Sequence, residues 1–186
     1  SNVVNCAFED REENVWVGTD IGGLARFRGQ LVRNLGEKEG LPSKCVFAVS
    51  ESAGDGTLWI GTLRGAARLQ RAPGMRVLEV VGEAEGLANE LVFRAEAGPD
   101  GDLWIWSEGG LQRRRPGATR VEPADEFASV ISTDVWGFAF DDAGRLWVAS
   151  RRAEGGLAVR LPDGNWRVFD RLPDGTLRIV DYKTGV

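Results

Sequence analysis

The chain has 186 residues, of which 42% are hydrophobic and 25 are glycine, and its formal charge is −5 at pH 7. This composition suits a folded protein of one domain or two small ones with many tight turns. The acidic balance argues against a nucleic-acid-binding surface on the main body. No apolar run reaches the about 18 residues that span a bilayer, so we expect no membrane insertion in this segment.

The chain contains no histidine and two cysteines, Cys6 and Cys45. Without histidine, the main body has no Ser-His-Asp or Cys-His arrangement, no imidazole general base and no histidine metal ligand. We therefore predict no catalytic residue, no metal site and no cofactor in it. Each cysteine lies in an apolar stretch and is expected to be a small buried hydrophobic residue. The alternative is a disulfide between the two.

In chain order, the sequence consists of four similar segments. Each contains a tryptophan in a related pentapeptide, VWVGT (15–19), LWIGT (58–62), LWIWS (103–107) or LWVAS (146–150), and the tryptophans recur at spacings of 43, 45 and 43 residues. A fixed period of this size is typical of one supersecondary unit copied along the chain. The four residues, Trp16, Trp59, Trp104 and Trp147, are expected to pack between adjacent units; the alternative is that they stack on a ligand.

The second segment shows the elements of one unit. VFAVSES alternates apolar and polar residues, Asp55-Gly56 predicts a tight turn, and LWIGT, AARLQ and MRVLEVV predict three further strands. Four antiparallel strands in about 44 residues are typical of a propeller blade. The sequence therefore predicts an all-β fold, a β-propeller segment of four four-stranded antiparallel blades over 1–170. We expect blades at about 1–42, 43–88, 89–131 and 132–170, followed by a tail at 171–186.

The first segment resembles the two-component regulator propeller repeat. The resemblance lies in Glu9-Asp10, Val15 to Thr19, Gly23-Leu24, Arg26-Phe27 and Gly40 to Ser43. It extends over roughly residues 1–170, although the later segments lack some of these motif residues. It implies a multi-bladed propeller, commonly the sensory portion of bacterial histidine kinases and hybrid sensors, on the periplasmic or extracellular side. The implied partners are a small-molecule or glycan ligand, or neighbouring blades and signalling domains outside this chain. We expect a part of a larger propeller rather than a closed ring, with apolar faces exposed on the first and last blades.

Variable charged residues follow each tryptophan strand. The loops carry Asp20, Arg64, Glu108, and then Arg151 and Arg152. Binding residues lie disproportionately on loops held by a rigid scaffold, and propeller ligands usually contact the loops at one end. These five residues are therefore candidates for a polar ligand-binding ring. The alternative for each of them is a solvated loop charge.

The tail, RLPDGTLRIVDYKTGV (171–186), is not explained by the repeat. In one interpretation it begins a truncated fifth blade. In the other, DYKTG is similar to a strand of RecB-like PD-(D/E)XK nucleases, in which Asp181 would bind a divalent metal and Lys183 would activate water. That motif is incomplete, because Arg167 stands where another acidic ligand is expected and one carboxylate does not hold Mg²⁺.

Three functional hypotheses follow from these features. The leading one is a non-catalytic ligand-sensing or protein-interaction module of a bacterial signalling protein. The first alternative is a fragment that carries an incomplete nuclease motif in its tail. The second alternative is a purely structural propeller that mediates association.

Overall fold

A computed structural model describes residues 3–29, 31–52, 55–71, 74–124, 135–150, 156–172 and 174–182. These residues form antiparallel β-sheets and two short 3₁₀ turns, Glu37–Glu39 and Glu83–Glu85. None of the helical turns in these ranges has the length and apolar character needed to cross a membrane. The chain divides into two compact units, Ser1–Glu122 and Pro123–Val186.

The first unit contains three antiparallel sheets, in each of which the strands pair in sequence order. Blade 1 consists of β1 (Val4–Glu9), β2 (Val15–Thr19), β3 (Leu24–Arg28) and β4 (Leu31–Leu35). Blade 2 consists of β5 (Val46–Glu51), β6 (Leu58–Thr62), β7 (Gly65–Gln70) and β8 (Arg76–Val81). Blade 3 consists of β9 (Val92–Ala97), β10 (Leu103–Ser107), β11 (Gly110–Arg114) and β12 (Glu122–Pro123). The predicted all-β fold of antiparallel blades is confirmed.

The second unit contains one sheet, blade 4, with five strands instead of the predicted four. They are β13 (Val135–Phe140), β14 (Leu146–Ser150), β15 (Leu157–Arg160), β16 (Trp166–Arg171) and β17 (Leu177–Tyr182). The tail strand β17 pairs antiparallel with β16. Two similar turns explain this, because Gly164 at φ 83° and Gly175 at φ 85° each close a tight turn before a strand. The predicted blade boundary at about 131 lies outside the described residues.

One tryptophan of blade 1 and one of blade 2 face the next blade in the chain. Trp16 is fully buried and packs in an apolar cluster with Leu58 and Ile60 of blade 2. Trp59 is 3% exposed and packs in a second cluster with Val92 of blade 3. Because side chains alternate along a strand, Trp59 faces blade 3 while its neighbours Leu58 and Ile60 face blade 1. The core of this unit therefore consists of apolar layers between adjacent blades.

Glycines two residues after these tryptophans bring the blades into close contact. Gly18 lies on the same face as Trp16, and a Cβ there would lie 2.6 Å from Val46 Cγ1. At Gly61, a Cβ would lie 2.8 Å from the carbonyl oxygen of Val92. The pattern W-x-G therefore combines a large side chain that fills the space between two sheets with a residue that lets the next strand approach.

We expect Gly61→Ala to lower the free energy of unfolding by about 1–3 kcal/mol, the usual cost of overpacking. The added methyl group would meet the backbone of β9, which cannot move as a flexible side chain can. Gly156→Ala is the control, because no atom of the described residues lies within 4 Å of the Cβ position there, and it should change stability by at most about 0.5 kcal/mol. Urea denaturation of both variants measures the difference. Equal losses would contradict the close-approach interpretation.

Candidate functional site

The loops that follow the tryptophan strands are closed by hydroxyl groups. Thr19 Oγ1 donates to the Gly23 carbonyl at 3.0 Å, and Thr62 Oγ1 donates to the Gly65 carbonyl at 2.7 Å. The N–H of Gly23 donates in turn to the carbonyl of Lys44, in the linker before blade 2, at 2.9 Å. The loops 19–23, 62–65 and 107–110 and the linkers 36–45 and 82–91 therefore form one ordered end of blades 1 to 3, which we call the rim end.

The predicted charged residues Asp20, Arg64 and Glu108 occupy equivalent loops at the rim end. Asp20 Oδ1 accepts a hydrogen bond from the N–H of Val3 at 3.0 Å, and Glu108 Oε2 accepts one from Asn89 Nδ2 at 3.1 Å. Among the residues that the structure describes, none of the three is bonded to another, so they do not form one charged cluster. The other two candidates, Arg151 and Arg152, lie outside the described residues.

Aromatic side chains lie at the rim end as well, on the first strands of blades 2 and 3. The pairing of β5 with β6 skips Phe47, and that of β9 with β10 skips Phe93, so both residues are at β-bulges. Their ring centroids are 5.9 Å apart in an edge-to-face contact, and Phe93 lies 4.8 Å from the ring of Trp106. All three are half-buried. Because a bulge re-aims its side chain, it places these rings side by side; we call Phe47, Phe93 and Trp106 the aromatic row.

Trp106 departs from the repeat at the position of closest approach between blades. Gly18 and Gly61 stand there in blades 1 and 2, whereas blade 3 has the largest side chain. The signal was present in the sequence, since LWIWS differs from LWIGT at this residue. Sequence reasoning missed Trp106 because it treated the pentapeptide as scaffold and looked for function only in the loops after it.

A buried ion cluster joins blades 1 and 2 at the end opposite the rim. The side chain of Asp10 is fully buried; it accepts hydrogen bonds from Trp16 Nε1 at 2.8 Å and the N–H of Asn14 at 2.9 Å. Arg71 Nη1 lies 2.8 Å from Asp10, and Arg71 Nη2 lies 2.9 Å from Glu51. Burial raises the pKa of Asp10, but the hydrogen bonds from Trp16, Asn14 and Arg71 outweigh it and lower the pKa to about 2. The cluster is therefore ionised at neutral pH and ties Trp16 to both blades.

Blade 4 has the same aspartate–tryptophan pair, whereas blades 2 and 3 lack it. Trp147 Nε1 donates to Asp141 Oδ2 at 2.8 Å, and this hydrogen bond is the main cause that lowers the pKa of Asp141 to about 2. Strand pairing places Ser52 and Gly98 at the position of the aspartate in blades 2 and 3. Trp104 Nε1 of blade 3 is accordingly buried without a hydrogen-bond partner among the described residues.

A cavity of about 500 Å³ lies between blades 2 and 3, at the end opposite the rim. Among the described residues, its walls come from Ser52, Asp55, Trp59 and Arg68 of blade 2, the β9–β10 hairpin and the chain that follows β11. The side chains that matter for its chemistry are Trp59, Asp55, Arg68, Arg114 and Arg115. Three cations and one anion of the described residues therefore line it.

The acidic residue of the nuclease-like motif, Asp181, is exposed and is paired with an arginine across the sheet. Arg167 Nε lies 2.6 Å from Asp181 Oδ1, and Arg167 Nη2 lies 3.2 Å from Oδ2. This interaction lowers the pKa of Asp181. A guanidinium thus engages both oxygens that a metal ion would need. Lys183 lies outside the described residues.

The N-terminal part of the chain matches a known family. Residues 1–20 match the sequence model of the two component regulator propeller. This segment is similar to a two-component regulator propeller repeat. In this segment, Asp10 accepts a hydrogen bond from the indole of Trp16, and Gly18 leaves room for the close approach of the next blade, so these residues support the fold. No curated protein sequence matches the chain significantly.

Solved structures with a similar fold extend over nearly the whole chain. The extracellular domain of a one component system from B. thetaiotaomicron matches with a TM-score of 0.67 at 18% identity, over 98% of this chain and 25% of that one. The extracellular domain of a hybrid two component system from B. thetaiotaomicron matches with a TM-score of 0.67 at 18% identity, over 91% and 23%. Virginiamycin B lyase from Staphylococcus aureus matches with a TM-score of 0.60 at 11% identity, over 96% and 69%. At these identities the likeness shows the fold alone. The chain spans about a quarter of the length of the first two structures.

Proposed function

We propose that this chain is a non-catalytic ligand-binding segment of a signalling propeller on the periplasmic or extracellular side, and that it binds a glycan at the rim end. The observation that carries the proposal is the aromatic row, where Trp106 replaces the glycine of the repeat beside three charged loops. The regulator propeller repeat at residues 1–20 and the fold shared with extracellular domains of signalling systems support the signalling context.

The chemistry of the rim end suits a sugar. A sugar ring has an apolar face of C–H groups and an edge of hydroxyl groups. Aromatic rings offer a flat apolar surface for the face and lose little conformational entropy, because they have few rotatable bonds. Charged loop side chains offer donors and acceptors for the hydroxyls. An apolar surface with a few polar groups around it is typical of small-ligand sites.

We expect Trp106→Ala to weaken oligosaccharide binding at least about tenfold, equivalent to about 1.4 kcal/mol. The reason is that the variant removes one of the three rings of the row. Calorimetric titration of the 186-residue chain with neutral and acidic oligosaccharides measures the affinity. Phe27→Ala is the control, because Phe27 is an aromatic residue that is 39% exposed near the opposite end of blade 1. Binding of no oligosaccharide, or equal affinity of Trp106→Ala and wild type, would contradict the proposal.

Charge reversal tests the loops separately from the aromatic row. We expect Arg64→Glu to weaken and Glu108→Arg to strengthen the binding of acidic oligosaccharides, each by about 1 kcal/mol, the scale of exposed charge pairs. Both side chains are exposed, so neither change should alter the free energy of unfolding by more than about 0.5 kcal/mol. If both variants bind every oligosaccharide as the wild type does, the loop charges are solvated and the prediction of a polar ligand-binding ring is wrong.

A second function, contact with a further blade, is favoured by the exposed face of blade 1. Val15 and Phe27, which pair across β2 and β3, are 40% and 39% exposed. Leu58 and Leu69 form the equivalent pair in blade 2 and are 0% exposed, because they pack in the cluster of Trp16. Blade 1 thus presents the apolar residues of an inter-blade surface. We infer that another blade of the same repeat covers this face.

The variant Val15→Lys distinguishes between a further blade and a second copy of this chain as the occupant of this face. With a further blade as occupant, this chain alone is monomeric and Val15→Lys changes its stability by at most about 0.5 kcal/mol, whereas a longer protein that contains the preceding blade is destabilised. Analytical ultracentrifugation and urea denaturation measure both. A dimer of this chain that Val15→Lys dissociates would show instead that a second copy covers the face.

A further inference from the structure

The cavity between blades 2 and 3 lies where an ion pair fills the space between blades 1 and 2. Between blades 1 and 2, the carboxylate of Asp10 and the guanidinium of Arg71 meet beside Trp16. Strand pairing assigns the equivalent positions one blade later. Ser52 takes the position of Asp10, and Pro116 takes the position of Arg71. Both charged groups are therefore missing at the second junction.

The turn glycines confirm that the two junctions correspond. A Cβ at Gly56, in the β5–β6 hairpin, would lie 2.8 Å from Arg71 Nη2. A Cβ at Gly101, in the β9–β10 hairpin, would lie 3.2 Å from Pro116 Cγ. The same hairpin position thus faces the guanidinium at the first junction and the proline ring at the second. The shorter proline leaves the space open.

The cavity has an excess of positive charge even though Ser52 and Pro116 stand at the positions of Asp10 and Arg71. Arg68 is ion-paired with Asp55, and Arg114 is ion-paired with Glu79 while its Cζ lies 5.9 Å from the ring centroid of Trp59. Arg115 also lines the cavity and makes no ion pair with any residue that the structure describes. A cationic residue without an acidic partner among the described residues thus lines the cavity.

The indole of Trp59 supplies a second free donor. Trp16 and Trp147 each donate their Nε1–H to an aspartate, at 2.8 Å. Within the described ranges, Trp59 Nε1 donates to no residue, and Ser52 stands where the aspartate would be. The Trp59 indole N–H is therefore free to donate to an acceptor from outside the chain.

We propose that the cavity binds a small carboxylate-bearing molecule, whose carboxylate takes the place that the Asp10 carboxylate has between blades 1 and 2. Trp59 Nε1 and the guanidinium of Arg115 are its donors, because a planar guanidinium matches the two oxygens of a carboxylate. The volume of about 500 Å³ lies within the about 300–1,000 Å³ of small-molecule sites. This site is at the opposite end of the blades from the aromatic row, and its test is independent of glycan binding.

The test is a titration of the whole chain that follows the indole N–H signals in ¹H–¹⁵N spectra. The probes are acetate and glucuronate, with glucose as the uncharged control. We expect the Trp59 signal to shift in a saturable manner with both carboxylates and to stay in place with glucose. A Trp59 signal that shifts with neither carboxylate, or that shifts equally with glucose, would overturn the proposal.

Two variants and one control make the test specific. Ser52→Asp restores the carboxylate of the first junction, so it should shift the Trp59 signal without ligand and weaken acetate binding at least tenfold. Arg115→Gln should weaken acetate binding at least fivefold, and Arg33→Gln, at an exposed arginine of β4 in blade 1, should leave it unchanged. If Ser52→Asp does not fold, Arg115→Gln decides, because Arg115 is exposed. Wild-type affinity in Arg115→Gln would overturn the proposal.

Discussion

Replacing Trp16 with alanine is expected to lower the free energy of unfolding by about 3–5 kcal/mol, the range for a large aromatic residue truncated in a core. Trp16 is fully buried between blades 1 and 2, where it packs with Leu58 and Leu69. The variant leaves a cavity in that layer and also removes the hydrogen bond to Asp10. Urea denaturation followed by far-UV circular dichroism measures the loss.

The variant Trp16→Phe separates packing from hydrogen bonding. Phenylalanine keeps most of the apolar ring but cannot donate to Asp10, so we expect a smaller loss of about 1–2 kcal/mol. Wild-type stability in Trp16→Ala would contradict the role of this residue between the blades. Equal losses in both variants would show that the hydrogen bond, and not the packing, carries the effect.

Replacing Asp10 with alanine is expected to cost about 3–5 kcal/mol, the cost of removing one partner from a buried ion pair. The variant leaves Arg71, whose side chain is 8% exposed, with Glu51 as its remaining buried acidic partner, and it leaves the indole N–H of Trp16 without an acceptor. Asp20→Ala is the control, since Asp20 accepts a single exposed hydrogen bond from Val3. It should cost at most about 1 kcal/mol.

The pH dependence of stability gives a second readout of Asp10. Its pKa is about 2 in the folded protein, against 3.8 ordinarily, so the folded state favours the ionised carboxylate. This contribution to stability is complete above the unfolded pKa and is lost as the pH falls through the folded pKa. The stability difference between wild type and Asp10→Asn should therefore be largest near neutral pH and shrink as the pH is lowered from about 4 to about 2. A difference that stays constant over this range would contradict the low pKa.

The blades were predictable from sequence because their signal is local and repeated. Each tryptophan pentapeptide reads as a buried strand, and a period of this size admits few architectures. The fifth strand of blade 4 was not predictable in the same way. LPDGTLRIVD has the same turn and strand pattern as LPDGNWRVFD before it, and that pattern is equally consistent with a new blade or with an added edge strand. The choice depends on which strand edge is free, which is a property of the assembled sheet.

The candidate sites were predictable only in part. The sequence located the charged loops, because they vary between otherwise similar segments. It did not reveal the bulges at Phe47 and Phe93, since a bulge is a shift in pairing between two strands and leaves no mark in either strand alone. The cavity depends on Ser52 and Pro116 together, which are far apart in sequence. Their correspondence to the ion pair of Asp10 and Arg71 is visible only when the strands of the blades are aligned.

The most direct test of ligand binding at the rim end is a ¹H–¹⁵N spectrum of the seven indole groups, titrated with a neutral oligosaccharide that binds in calorimetry. Binding at the aromatic row predicts that the Trp106 signal shifts in a saturable manner while the signals of the buried Trp16 and Trp104 stay in place. A titration in which the Trp106 signal does not shift while the oligosaccharide binds would place the ligand elsewhere and contradict binding at the aromatic row.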